Sequence, residues 1–291
     1  MDPHKLQLFV ALAETLHFNK AAERCFVSPS KLSRTIKSLE AELQVRLFER
    51  DNRSVMLTEQ GRLFLKYARE NLQQLETIKH RLQQQTTELS GAISLYCSVT
   101  ASYSFLYDIL TDFRRQHPRI ELRLHTGDPA EAIERVIAGR EDIAIAAKPE
   151  KPAAGVKIKS FATSPLQFIS PTDSNQFDRK QHESPESYWQ RLPLILSERG
   201  IARERLDRWF SRKRISPNIY AQVAGNEAIV SMVSLGFGVG LVPEIVVENS
   251  PLKERVRLLP EQIELAPYEV GICVLEKRLK SPLVEAFWER I

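Results

Sequence analysis

The sequence predicts an α/β chain with an all-α-plus-wing N-terminal part, one long linker helix and a two-lobed α/β C-terminal part. Three observations predict it. Apolar residues up to Leu43 recur at helical spacing. The stretch from Thr58 to Leu89 holds no Pro and a single Gly, Gly61. From Ala92 onward, short apolar strands alternate with helical segments. With 291 residues, 43% of them hydrophobic, the chain is long enough for two or three cored domains and too apolar to be disordered.

The first helix is read from Leu6, Phe9, Val10, Ala13 and Leu16. Asn19 is the expected N-cap of a short second helix carrying Ala21 and Ala22, whose small side chains let two helices approach closely. Ser28 then caps a third helix with Pro29 at its first position, where a missing N–H costs nothing. Val27 and Leu32 are placed for a hydrophobic staple. Leu32, Ile36, Leu39 and Leu43, spaced 4, 3 and 4, form the buried stripe. The opposite face presents Ser30, Lys31, Ser33, Arg34 and Lys37, short or cationic side chains suited to entering a major groove. After this helix, LFERDNRSVMLTEQG reads as two short strands around a turn at Asp51-Asn52, with Arg50 and Arg53 beside the turn. Three helices and a basic hairpin make a winged helix-turn-helix, expected over 1–58. A helix-turn-helix that binds protein instead is the competing reading.

Charge alone favours a solvated helix face, but its layout also fits a small DNA-reading domain on a larger body. The excess of Lys and Arg over Asp and Glu is +4 overall, 14 against 11 in residues 1–90 and 27 against 26 beyond. Pro29 to Leu39 contains three of those cations and no acid.

Residues 59–89 read as a linker helix capped by Thr58. Leu65, Ala68, Leu72, Leu75 and Leu82 fall at spacings 3, 4, 3 and 7, a heptad seam with one gap. A helix of roughly 45 Å with such a stripe is expected to pair with a second copy.

In 90–291 the expected strands are Ala92–Ser98, Ile120–His125, Ile143–Ala147, Leu166–Ser170, Leu194–Leu196, Ile219–Val223, Val239–Val242 and Glu269–Leu275. The expected helices are Ala101–His117, Pro129–Ala138, Ala202–Lys213, Asn226–Leu235 and Pro282–Arg290, with 171–191 a polar loop. The order restarts after Pro152, and the chain returns at the end. Two lobes are therefore expected, lobe I over about 90–162 and 268–291 and lobe II over about 163–267. Their cleft should lie at strand C-terminal ends. Candidate effector-binding residues are Ser98, Thr100, Ala101 and Ser102 after the first strand, Thr126 and Gly127 after the second, and Lys148 after the third. In the second lobe they are Ser197, Arg203, Gly225 and Asn226. Each taken singly also fits ordinary turn or cap chemistry, and the cations fit pairing with acids.

Enzyme signatures are absent. Gly236, Gly238 and Gly240 follow an apolar helix and enter a strand, the reverse of a dinucleotide fingerprint. The six His show no metal-ligand spacing, and no catalytic or metal site is expected. Cys25, Cys97 and Cys273 read as buried thiols in a reducing compartment. The start, MDPHKLQLF, lacks a secretory layout, and Ala228–Pro243 is too short to span a membrane, so a cytoplasmic chain is expected. A solute-binding protein for small organic anions is the alternative reading, and the first 90 residues argue against it.

AAERCFVSPSKLSRTIKSLEAELQVRLFERDNRSVMLTEQG resembles the winged helix-turn-helix of LysR-type transcriptional regulators. FRRQHPRIELRLHTGD, REDIAIA and GFGVGLVP resemble their effector domain, so the likeness covers essentially the whole chain. It implies a periplasmic-binding-protein-like effector domain, a double-stranded DNA operator, assembly as a dimer of dimers and contact with RNA polymerase. LSGAISLYCSVTASYS, TGDPAEAIERV and GNEAIVSMVSLGFGVGLVPEIVVENSP narrow the likeness to activators of the ketol-acid reductoisomerase gene of isoleucine and valine biosynthesis. That implies no cofactor and a small keto-acid co-inducer, acetolactate or acetohydroxybutyrate. Two positions depart from the family. Gln44 stands where Gly is usual, at a cost on the order of 1 kcal/mol if the backbone is left-handed there. Pro29 replaces a common Gln and removes one possible base contact.

Overall fold

The computed structural model describes residues 2–50, 54–82 and 89–291. Contacts divide the chain into two compact units, Met1–Thr87 and Glu88–Ile291.

The first unit runs α1 (Pro3–Thr15), α2 (Phe18–Arg24), α3 (Pro29–Leu43), β1 (Phe48–Arg50), β2 (Val55–Leu57) and α4 (Glu59–Leu82). Its core takes Leu8, Phe9 and Leu12 from α1, Ala21 and Ala22 from α2, and Leu32, Ile36 and Leu39 from α3. The paired alanines are fully buried where α2 meets its neighbours. The expected cap of α2 is corrected. Its N-cap is His17, whose Nδ1 accepts from the Lys20 N–H at 3.4 Å, while Asn19 lies inside the helix. The α3 start is as expected, with Ser28 Oγ accepting from the Lys31 N–H at 3.2 Å and Pro29 at the first position.

The wing pairs β1 and β2 antiparallel, Phe48 opposite Leu57 and Arg50 opposite Val55. Its turn, Asp51-Asn52, and Arg53 lie outside the described residues, as does the Arg50 side chain. Near the end of α3, Glu40 fixes the entry to the wing. Its Oε1 accepts from the Leu47 and Phe48 N–H groups at 2.9 and 3.1 Å.

The α4 stripe is divided. Phe64 and Ala68 are buried in the unit's own core and Leu65 and Leu72 are half-buried against it, whereas Leu63, Tyr67, Ile78 and Leu82 stay exposed. The first half of the stripe expected to pair with a second copy is thus packed within the chain itself. Gln83, Gln84 and Gln85 lie outside the described residues.

At Gln44 the backbone is left-handed, φ 56°, and its N–H closes α3 onto the Glu40 and Ala41 carbonyls. Glycine adopts this conformation without the Cβ clash. Gln44→Gly should therefore raise stability by about 1 kcal/mol, read as a higher urea midpoint with an unchanged slope.

The second unit holds two five-stranded sheets. Lobe I orders β4 (Ile120–Thr126), β3 (Gly91–Cys97), β5 (Ile143–Ala147), β12 (Tyr268–Leu275) and β6 (Val156–Ser164). Lobe II orders β11 (Val256–Leu258), β7 (Leu166–Pro171), β10 (Val239–Pro243), β8 (Pro193–Ser197) and β9 (Asn218–Val223). In each sheet three neighbouring strands pair in parallel, and one reversed strand, β12 or β7, adds a fourth and an edge strand by antiparallel pairing, so the expected parallel units are present but do not make up the whole sheet. The chain leaves the first sheet at Ser164 and returns to it at Tyr268.

Both faces of each sheet are covered, which is why the central strands read as continuous apolar runs. In lobe I, Ile93, Leu95 and Ile145 face α6 (Leu106–Gln116) and α12 (Pro282–Trp288), and Tyr96, Ala144 and Ala146 face α7 (Ala132–Ile137). In lobe II, the aromatic cluster of Phe168, Trp189 and Phe210 packs with α8 (Pro185–Arg191) and α9 (Ile201–Lys213), and Ile229 and Val233 of α10 (Asn226–Ser234) cover the other face.

Three expectations are corrected. The single helix Ala101–His117 is two, α5 (Val99–Ser104) and α6, broken at Phe105, whose ring packs edge-on to Phe161 at 5.1 Å. The polar loop 171–191 contains α8, capped by Ser184 and anchored by buried Tyr188 and Trp189. Strands β6 and β11 and helix α11 (Glu244–Glu248) lie in segments where no element was expected.

Candidate functional site

The exposed face of α3 is the candidate nucleic-acid face. Ser30, Lys31, Arg34 and Lys37 are exposed and Ser33 is half-buried. The Ser28 and Ser30 hydroxyls are 3.1 Å apart at the helix start. Several cations nearby are neutralised: Lys5 pairs with Glu42 at 3.1 Å, and Arg24 and Arg69 share Glu14 at 2.7 and 3.0 Å. Lys31, Arg34 and Lys37 pair with no acid among the described residues. A fold that neutralises those neighbours and leaves these three open keeps a phosphate- and base-edge-binding face. Phe26, which no sequence pattern singles out, sits in the turn just before α3. It is 97% exposed with φ 54°.

The second site is the cleft between the lobes, which has two compartments. The smaller one, about 30 Å³, is lined by Ser98, Thr100, Ala101, Phe105, Asn226 and Tyr268, among others. It has room for one or two waters. The larger one, about 240 Å³, is lined by Ser197, Gly225 and Asn226 together with Asp128, Arg199 and Glu204, among others. Asn226 and Tyr268 line both. Burial pushes the Tyr268 phenol up to about 12, so it stays protonated and can donate.

Ser98, Thr100, Ala101, Ser197, Gly225 and Asn226 are thus brought together, at the strand ends as expected. Ser98 caps α5, its Oγ accepting from the Ala101 N–H at 3.1 Å. Ser102, Thr126, Gly127, Lys148 and Arg203 line neither compartment. The Ser102 hydroxyl bonds the Val99 carbonyl at 2.6 Å, and Thr126 ends β4 exposed. Gly127 packs so tightly on Tyr96 that a Cβ would lie 2.5 Å from its hydroxyl. Lys148 pairs with Glu269 at 3.2 Å, which holds that carboxyl below its usual range. Arg203 bonds the Ser197 carbonyl at 2.9 Å, Gln222 at 2.7 Å and Asp207 at 2.9 Å, and so props the end of β8.

Contacts between the lobes close the cleft. Arg199 reaches Glu131 at 3.0 Å and Asp128 at 3.6 Å, and Arg208 pairs with Glu150 at 2.7 Å, each from lobe II to lobe I. Glu227, in the first turn of α10, accepts from the Thr100 N–H at 2.7 Å and from its hydroxyl at 2.5 Å. The partners are 127 positions apart, and nothing in the sequence links them.

Cys97 and Cys273 are buried, with thiols pushed up to about 12, while Cys25 is half-buried. Among the described residues no group of His, Cys, Asp and Glu could hold a metal ion, and no helix is long and apolar enough to cross a membrane.

An open basic helix face joined to a two-lobed ligand-sized cleft defines a DNA-binding regulator with an effector domain. Family comparison agrees: the bacterial regulatory helix-turn-helix protein of the lysR family matches residues 3–62, and the LysR substrate binding domain matches 86–291. The chain belongs to the LysR family of transcriptional regulators. Within it, the chain is 44% identical over 292 residues to the HTH-type transcriptional activator IlvY of Salmonella typhimurium, covering 99% of both proteins. The IlvY regulator of Escherichia coli K12 is also 44% identical, with 99% and 98% covered. These relatives are transcriptional regulators, not enzymes, and the chain is a LysR-type transcriptional activator. Among solved structures, a single-site variant of full-length OxyR from Pseudomonas aeruginosa shares the fold, with a TM-score of 0.69 at 23% identity over 100% of this chain and 94% of that one.

Proposed function

We propose that this protein activates the gene for ketol-acid reductoisomerase in response to acetolactate or acetohydroxybutyrate. The observation that carries the reading is the full-length likeness to the IlvY activators. It operates without a cofactor and in the cytoplasm, with residues 1–58 for DNA, 59–89 for pairing and 90–291 for the inducer. Ser28, Pro29 and Ser30 seat the start of α3 in the major groove, and Lys31, Ser33, Arg34 and Lys37 read bases or hold phosphates. Arg50 and Arg53 reach the backbone beside it. The exposed Leu63, Tyr67, Ile78 and Leu82 of α4 support pairing of two copies, and two such dimers make the tetramer that meets RNA polymerase.

The inducer acts by population shift: binding between the lobes favours one arrangement, and the tetramer repositions its recognition helices. The test is a footprint and an in vitro transcription assay on DNA upstream of that gene. Protection should weaken steeply with salt, and acetolactate should change both protection and transcript yield. Unchanged footprint, bend and transcription at saturating acetolactate refute the reading. Calorimetric titration with other small acids sets the ligand's identity.

A further inference from the structure

Thr100, which lines the smaller compartment of the cleft, is already engaged by a carboxylate of the protein itself. Thr100 is 4% exposed and gives both its donors, N–H and hydroxyl, to Glu227 Oε1. The other oxygen, Oε2, folds back on the start of its own helix: a Cβ on Gly225 would lie 3.3 Å from it, and Gly225 is left-handed at φ 82°. Thr100 belongs to lobe I and Glu227 to lobe II. This contact differs in kind from the other bridges between the lobes. Arg199 and Arg208 are close to half exposed, so their pairs with Glu131 and Glu150 are weakened by water and salt. The Thr100 pair is charge-assisted, doubled on one oxygen and buried at its Thr100 end, so water and salt weaken it less. It occupies both donors of a residue that lines the smaller compartment with Ser98 and Asn226.

We propose that Glu227 is an internal latch that the inducer has to release: it fastens lobe II to Thr100 and occupies both Thr100 donors, so that a small organic anion reaches those donors only as the latch opens. The proposal rests on the reading that the cleft takes such an anion. Its consequence is a threshold. When only the unlatched fraction binds, the apparent dissociation constant is the intrinsic one divided by that fraction. Weakening the latch therefore tightens binding without any new contact to the ligand.

Glu227→Gln tests this in the full-length protein. The amide keeps the size of the side chain and an acceptor for Thr100, and loses the charge. Two measurements separate the latch from the identity of the ligand. The first is hydrogen–deuterium exchange with no acid added. The Thr100 amide should exchange about tenfold faster in E227Q, and Thr100→Val, which loses only the hydroxyl bond, should fall between the two. Equal rates in wild type and E227Q overturn the latch. The second is calorimetric titration with acetolactate, where E227Q should bind about tenfold more tightly than wild type. Equal or weaker binding by E227Q overturns the competition and makes Glu227 a bystander or a direct ligand contact. If wild type binds no acetolactate, the proposed inducer is wrong, and the exchange rates alone decide whether Glu227 holds the lobes.

Discussion

Gly61→Ala is expected to destabilise the N-terminal unit by about 3 kcal/mol, among the larger costs a single methyl can impose. Gly61 is buried in the first turn of α4, and a Cβ there would lie 2.1 Å from the Leu47 carbonyl oxygen and 2.9 Å from Leu57 Cδ2. The obstacle is backbone that cannot step aside. The Leu47 carbonyl accepts from the Thr58 N–H at 3.1 Å, and the Leu47 N–H is held by Glu40. Thr58 in turn caps the helix, its Oγ1 accepting from the Gly61 N–H at 2.9 Å and donating to the Arg46 carbonyl at 2.8 Å. Room for a methyl can come only by loosening the junction of α3, wing and α4. At roughly 4–8 °C per kcal/mol for a unit of this size, calorimetry of the full chain should show one transition drop by more than 10 °C. DNA affinity should fall with it, while the second unit, which makes none of these contacts, keeps its melting temperature. An unmoved transition would mean the junction relaxes at little cost.

That site shows what the sequence could convey. The closing L-T-x-x-G of the wing was legible as a pattern, but the reason for its Gly was not, because the carbonyl it avoids is fourteen positions upstream. In the N-terminal unit α3 was legible because its signals are local, Ser28-Pro29 starting it and Leu32, Ile36 and Leu39 marking its buried face, whereas the His17 cap of α2 was not. Central strands such as Ile143–Ala147 were legible as apolar runs. Strand β6 was not, because it is an edge strand whose Lys157 and Lys159 interrupt the apolar pattern, as suits an edge. Helix α8 was obscured by the polar segment around it, although Ser184-Pro185 repeats the start signal of α3. The break at Phe105 has no Pro or Gly behind it; it accompanies the packing of Phe105 on Phe161. In the cleft, strand ends predicted which residues meet but not their partners. Lys148 and Arg203, read as candidate anion ligands, are tied to Glu269 and Asp207. Thr100 is tied to Glu227 from the other lobe. Pairings over such distances follow from how the lobes meet, and no local pattern encodes that.

Arg34→Ala should weaken binding to the operator by about 1–3 kcal/mol, roughly 5-fold to 150-fold, and flatten preference at one base position. The reason lies in how α3 is built. Its buried stripe of Leu32, Ile36 and Leu39 fixes the helix's rotation, so Arg34 points away from the core and is exposed. Arg34 lies one turn beyond Ser30 and Lys31 and pairs with no acid among the described residues, so reaching DNA costs it no salt bridge. A planar guanidinium that addresses guanine O6 and N7 loses its two bonds only at sites that offer guanine. Arg53→Ala is the contrasting variant. A wing contact to phosphate is independent of sequence, so affinity should fall evenly across operator and random DNA, and the slope of log affinity against log salt should become shallower by about 1. Competition binding over an operator library at two salt concentrations separates the two behaviours. If both variants lose affinity evenly and both lower the salt slope, Arg34 is a phosphate anchor, and base reading by α3 falls to Ser30, Lys31, Ser33 and Lys37.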